Sequence, residues 1–100
     1  MAFIERNQTK EEPFFLFMSY NAPHLDLEAP KETITKYPKD KMTVVPGVKP
    51  SARSVYAAMV DEMDQGIGKL LAKLDALDLS GNTVVWFMSC LLYTSDAADE

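Results

Sequence analysis

His24 is the one histidine in the chain, and it follows an unbroken apolar run, Phe14-Phe15-Leu16-Phe17-Met18, by six residues. An imidazole titrates near neutrality without help from its surroundings. In its protonated form it can donate to an oxygen on which negative charge is developing, the task of a general acid. Asn21, Leu25 and Asp26 flank it on the same loop and are candidates for contact with a substrate, Asn21 first among them. The alternative is a histidine that merely caps a turn.

Other groups with chemical potential read more plainly. Asp61 and Asp64 stand three apart in a helical pattern and could share a metal, but carboxylates at that spacing are more often the solvated face of an amphipathic helix. Met59 and Met63 belong to the apolar stripe of the same helix. The single cysteine, Cys90, opens the segment Cys90-Leu-Leu-Tyr-Thr-Ser-Asp-Ala-Ala-Asp-Glu100, which resembles the translation of a transposase-type sequencing adapter. The expected organisation is therefore a native segment over residues 1–89 and a non-native tail over 90–100, with a genuine polar tail as the alternative. Cys90 then says nothing about redox compartment.

The elements that would position His24 follow from pattern. Residues 14–18 suit a strand buried on both faces, as in a parallel sheet, and Thr83-Val-Val-Trp-Phe-Met-Ser89 reads as a second such strand after a Gly81-Asn82 turn. Pro23 biases Ala22 away from helical geometry, so His24 sits on an extended turn at the carboxyl end of its strand, where open α/β sheets collect ligands. Met1 to Asn7 reads as the end of a helix. Pro30 can open a short helix through Tyr37, after which Pro38, Pro46, Gly47 and Pro50 break up the chain. Ser51 is the expected N-cap of one strong helix running to about Asp78, with Tyr56, Met59, Met63, Ile67, Leu70, Leu74 and Leu77 along one face. Asp61, Glu62 and Asp64 precede Lys69 and Lys73, the order that favours the helix dipole, and Gly66 and Gly68 would let the helix lie close on the sheet. The fold class expected is α/β, with two parallel strands joined by a long loop and a crossover helix.

Composition narrows the function classes. One hundred residues with 47% hydrophobic content make a single small domain, and the net charge of −5 becomes −2 over residues 1–89. No Lys/Arg-rich run points to a nucleic-acid partner, and no apolar stretch has membrane length. Met1-Ala-Phe-Ile-Glu5 is not a signal peptide.

Together the blocks Pro13-Phe-Phe-Leu-Phe-Met-Ser19, Ala22-Pro-His24, Ala29-Pro30, Tyr37-Pro38, Tyr56-Ala-Ala-Met-Val60, Asp64-Gln-Gly-Ile-Gly68 and Asn82-Thr-Val-Val-Trp-Phe-Met-Ser89 resemble the middle of a type I sulfatase, in order and spacing, across nearly all of residues 1–89. The resemblance implies an alkaline-phosphatase-like α/β fold, a calcium ion, a formylglycine nucleophile made from Cys or Ser, and a whole enzyme of several hundred residues. It implies a sulfate ester as substrate, from a small molecule or a carbohydrate, and a periplasmic or extracellular location. His24 matches the family's sulfate-contacting histidine. The nucleophile motif, Cys or Ser followed by any residue and Pro-Ser-Arg, is absent: Val48-Lys-Pro50-Ser51-Ala52-Arg53 has Val48 in the nucleophile's place and Ala52 in the arginine's, leaving Ser51 as a cap and Arg53 as a surface residue. The family's calcium-binding Asp-Asn-Gly would follow Ser89, where Cys90 and Leu91 stand, so no metal ligand is expected within the chain. Two other readings stay open: a phosphodiesterase or phosphonate hydrolase of the same superfamily, and a small non-catalytic α/β interaction module.

Overall fold

One long helix organises the chain. The computed structural model describes residues 1–24 and 26–89, so the expectations for Leu25 and for residues 90–100 lie outside the described residues. Three helices occur in order: α1 (Ala2–Asn7), α2 (Lys31–Ile34) and α3 (Pro50–Ala76), with single 3₁₀ turns at Lys39–Lys41 and Ser80–Asn82. The start of α3 falls one residue before the expected cap. Lys49 holds the N-cap position with extended backbone, and Pro50 opens the helix, where its fixed φ fits and its missing N–H costs nothing. Ser51 therefore lies inside the first turn.

The far end of α3 closes in a Schellman arrangement. Leu77 is the C-cap, and Asp78 adopts left-handed backbone at φ 57. Its N–H donates to the Asp75 carbonyl at 3.0 Å, and the Leu79 N–H donates to the Leu74 carbonyl at 2.8 Å. Along the helix, Met59 and Leu74 are buried, while Tyr56, at the head of the expected stripe, is 40% exposed. No acidic residue occupies the first turn of α3. Asp61, Glu62 and Asp64 sit mid-helix, beyond the reach of the terminal dipole that the sequence order invited.

The α/β expectation is overturned. Among the described residues the β pairing is a single antiparallel bridge between Val45 and Val48, across a Pro46-Gly47 turn in which Gly47 supplies a φ of 80. Residues 14–18 and 83–89 form no sheet, so among the described residues there are no parallel strands and no crossover unit in the alkaline-phosphatase manner. Nor are they buried on both faces: Phe15 is 85% exposed, Phe17 75%, Trp86 82% and Met88 84%. A strand needs backbone partners along its edges, and no other described segment offers them. What secures the first segment is side-chain contact with and through α1. Phe14 meets Phe3 of α1 edge to face, with ring centroids 5.9 Å apart at 87°. Glu5 of α1 pairs with Lys73 of α3, which holds the Glu5 carboxyl below its usual range through the hydrogen bond to Lys73 and its charge. Ile4, between those contacts in sequence, is 1% exposed.

The left-handed Asp78 yields a stability test. A β-carbon in that conformation costs about 1 kcal/mol relative to glycine, and a carboxylate beside a helix C-terminus is disfavoured further. Asp78→Gly is expected to raise the thermal midpoint, followed by circular dichroism at 222 nm, by roughly 4–8 °C. An unchanged or lower midpoint would mean that the Asp78 side chain supports the turn.

Candidate active site

His24 stands on a turn that begins at Asn21. The His24 N–H donates to the Asn21 carbonyl at 2.8 Å, and the Ala22–Pro23 peptide within that turn is cis. Both residues are exposed, as is Asp26, so the structure brings two predicted site residues onto one solvent-facing turn.

Two anchors hold the ends of this loop, and both are on α3. Upstream, Tyr20 lies with its phenol against Gly66: a β-carbon there would come within 3.2 Å of the Tyr20 Cζ and closer still to its Oη. The glycine expected to admit a sheet admits one aromatic side chain. Gly68 has nothing within 4 Å of a β-carbon, so the same expectation fails there without a substitute. Downstream, Pro30 leads into α2, whose Thr33 is buried and donates its hydroxyl to Glu62. Tyr37 donates its hydroxyl to Asp61 Oδ2 at 2.8 Å, Gln65 Nε2 donates to Asp61 Oδ1 at 2.6 Å, and Lys36 Nζ lies 3.5 Å from Asp61 Oδ2.

Asp61 and Glu62 thus receive the loop rather than facing solvent, a role the sequence pattern missed. The nearest signal was Gln65, four residues after Asp61 and able to hold it from the same face. Asp61 is drawn below the usual carboxylate range by the Gln65 and Tyr37 hydrogen bonds, helped by Lys36. Tyr37 is pushed above the usual phenol range chiefly by its bond to Asp61. A groove of about 720 Å³ runs beside this cluster, walled by Tyr37, Met42, Val48, Arg53, Tyr56 and Asp61. His24 and Asn21 are outside it. Arg53 is half-buried, with its Nε buried and lacking a hydrogen-bond partner, so the surface position expected for it is corrected.

The sequence profile of the family described as Sulfatase matches residues 1–89. The chain belongs to the sulfatase family. It is 33% identical over 87 residues to canine N-acetylgalactosamine-6-sulfatase, covering 87% of this chain and 14% of that protein. Human steryl-sulfatase is 34% identical over 87 residues, 87% of this chain and 12% of its own length. The ulvan-active sulfatase of Formosa agariphila is 33% identical over 95 residues, covering 87% and 19%. The chain therefore spans less than a fifth of these relatives' length. No solved structure matches it significantly.

The groups that the sulfatase family implies find no fit in the described residues. No three histidine, cysteine, aspartate or glutamate side chains converge there as a metal would need. Ser51, the nearest approach to a nucleophile motif, lies in the first turn of α3 with Val48 and Ala52 at the two critical positions. Asp61, considered as a metal ligand, has both carboxylate oxygens engaged by Tyr37, Lys36 and Gln65.

The Asp61 cluster makes the docking of Lys36 and Tyr37 on α3 sensitive to pH in both directions. A carboxyl whose pKa is lower in the fold stabilises it above its unfolded value of about 4 and ceases to as pH falls through the folded one. A phenol whose pKa is higher in the fold stabilises it below about 10 and loses that contribution as pH rises through the folded value. Absorbance titration near 295 nm should therefore show Tyr37 ionising late, and Asp61→Asn should bring its ionisation to lower pH. A titration identical in the two proteins would remove Tyr37 from the docking contact.

Proposed function

We propose that residues 1–89 are part of the catalytic domain of a sulfuric ester hydrolase acting on sulfate monoesters, and that His24 is their contribution to the chemistry. What carries this reading is His24 itself, a solvent-facing imidazole on a turn closed against Asn21, within a segment matched throughout by the family profile. When the sulfur–oxygen bond of a sulfate ester breaks, its electron pair leaves with the alcohol oxygen. A protonated His24 would give its proton or a hydrogen bond to that oxygen, or stabilise the sulfuryl oxygens, as charge builds. Asn21, on the same turn, is proposed as a substrate contact. A carbohydrate or small-molecule sulfate ester suits the named specificities of the relatives, and a periplasmic or extracellular setting suits such substrates.

Calcium and formylglycine belong to this reading only as groups held outside the described residues, because nothing there fits them. In the same way, residues 90–100 are proposed to be foreign to the natural protein, and Asp-Asn-Gly to follow Ser89 in it. An independent read of the locus without transposase fragmentation tests that; recovery of Cys90 and the residues after it would overturn it.

Two activity measurements test the functional reading. The chain as it stands should not turn over an aryl sulfate with or without calcium, and calcium-dependent hydrolysis would mean that it carries the nucleophile and metal ligands after all. In the full-length enzyme, His24→Ala should lower kcat by about two to four orders of magnitude for alkyl sulfates. The loss should shrink for esters with acidic phenol leaving groups, whose phenolates need little protonation. A small, uniform effect across the series would make His24 a turn residue. Phosphate diesters, run beside the sulfates, should be the poorer substrates; the reverse preference would assign the chain to a phosphodiesterase.

A further inference from the structure

We propose that Tyr20, seated on Gly66, is a positioning residue that fixes His24 at its working place; the inference rests on the reading of His24 given above. Tyr20 is four residues before His24 and one before Asn21, whose carbonyl accepts the bond that closes the turn. Between Tyr20 and His24 the chain has little freedom, since the turn is held by its own hydrogen bond. A shift of the Tyr20 backbone is therefore transmitted to His24 as a movement of the whole turn.

The seat is specific to one position on α3. Gly66 and Gly68 both replace better helix formers within a helix, and both lack the β-carbon that would stabilise it. Among the described residues Gly66 alone of the two returns something for that loss: its bare backbone admits the Tyr20 phenol, whereas Gly68 has no described neighbour within 4 Å of a β-carbon. Residues 14–18, which lead into Tyr20, have no ladder to fix them. The phenol on Gly66 is the contact that ties this side of the turn to α3, and Thr33 and Tyr37 on Glu62 and Asp61 tie the other.

The test uses the full-length sulfatase carrying this chain, with His24→Ala measured alongside. Gly66→Ala and Tyr20→Ala should each lower kcat about ten- to a hundredfold, the cost of a misplaced catalytic group, with KM within about twofold. Tyr20→Phe, which keeps the ring, should restore the rate. Gly68→Ala makes the same helix-favouring exchange without a neighbour and should leave both constants at wild type. Placed on a His24→Ala background, Tyr20→Ala should cost nothing more. If Gly66→Ala behaves as Gly68→Ala while His24→Ala is crippled, or if Tyr20→Ala costs as much without His24 as with it, the positioning role is overturned and His24 keeps its own. If His24→Ala turns over at the wild-type rate, the reading of His24 falls and this inference falls with it.

Discussion

The loop that carries His24 is fixed by what it meets on one helix, and the rest of the structure depends on that docking. Ordering a loop costs roughly 1–2 kcal/mol per residue in backbone entropy, and here the apolar return is small. Among the described residues only Ile4, Ala58, Met59 and Leu74 are buried hydrophobics. Polar contacts between distant segments supply the definition that the core lacks: Thr33 with Glu62, Tyr37 with Asp61, and Glu5 with Lys73. Such bonds are directional, so they select one register of loop on helix even where they add little to stability.

That distinction explains which elements were legible in the sequence. Helix α3 was, because a helix is a local object: apolar spacings of three and four lie within the segment they describe, although its start at Pro50 and the left-handed Asp78 beyond its end emerged only in the structure. The apolar runs at 14–18 and 83–89 were misread for the complementary reason. Their composition records a preference for burial between other layers, and a strand also requires neighbours, which composition cannot supply. With no ladder among the described residues, Phe15, Phe17, Met18 and the side chains from Val84 to Met88 stand in solvent.

Asp61 and Glu62 show the limit of periodicity in another form. A 3.6-residue repeat sorts a helix into faces, and both acids fall on the face that the sequence marks as polar. It does not report whether another segment docks there. The partners, Tyr37 and Thr33, lie 24 and 29 residues away, beyond any pattern along the helix. Gly66 is the reverse case: its cost to the helix was visible, its neighbour was not. Only the approach of Tyr20 distinguishes it from Gly68.

The candidate site was legible in proportion to how local it is. His24 and Asn21 share one turn of backbone, so sequence alone placed them together, and the bond between them at 2.8 Å agrees. The nucleophile and metal ligands implied by the family find no fit in the described residues, and the chain covers less than a quarter of its relatives' length. Yet the turn has a defined shape with no sheet among the described residues. Its shape comes from its own hydrogen bond, and its placement from the contacts that flank it, Tyr20 on one side and α2 on the other, both resting on α3. A loop held in this way inherits its precision from a helix packed beside it, and substitutions on that helix become the ones that shift it.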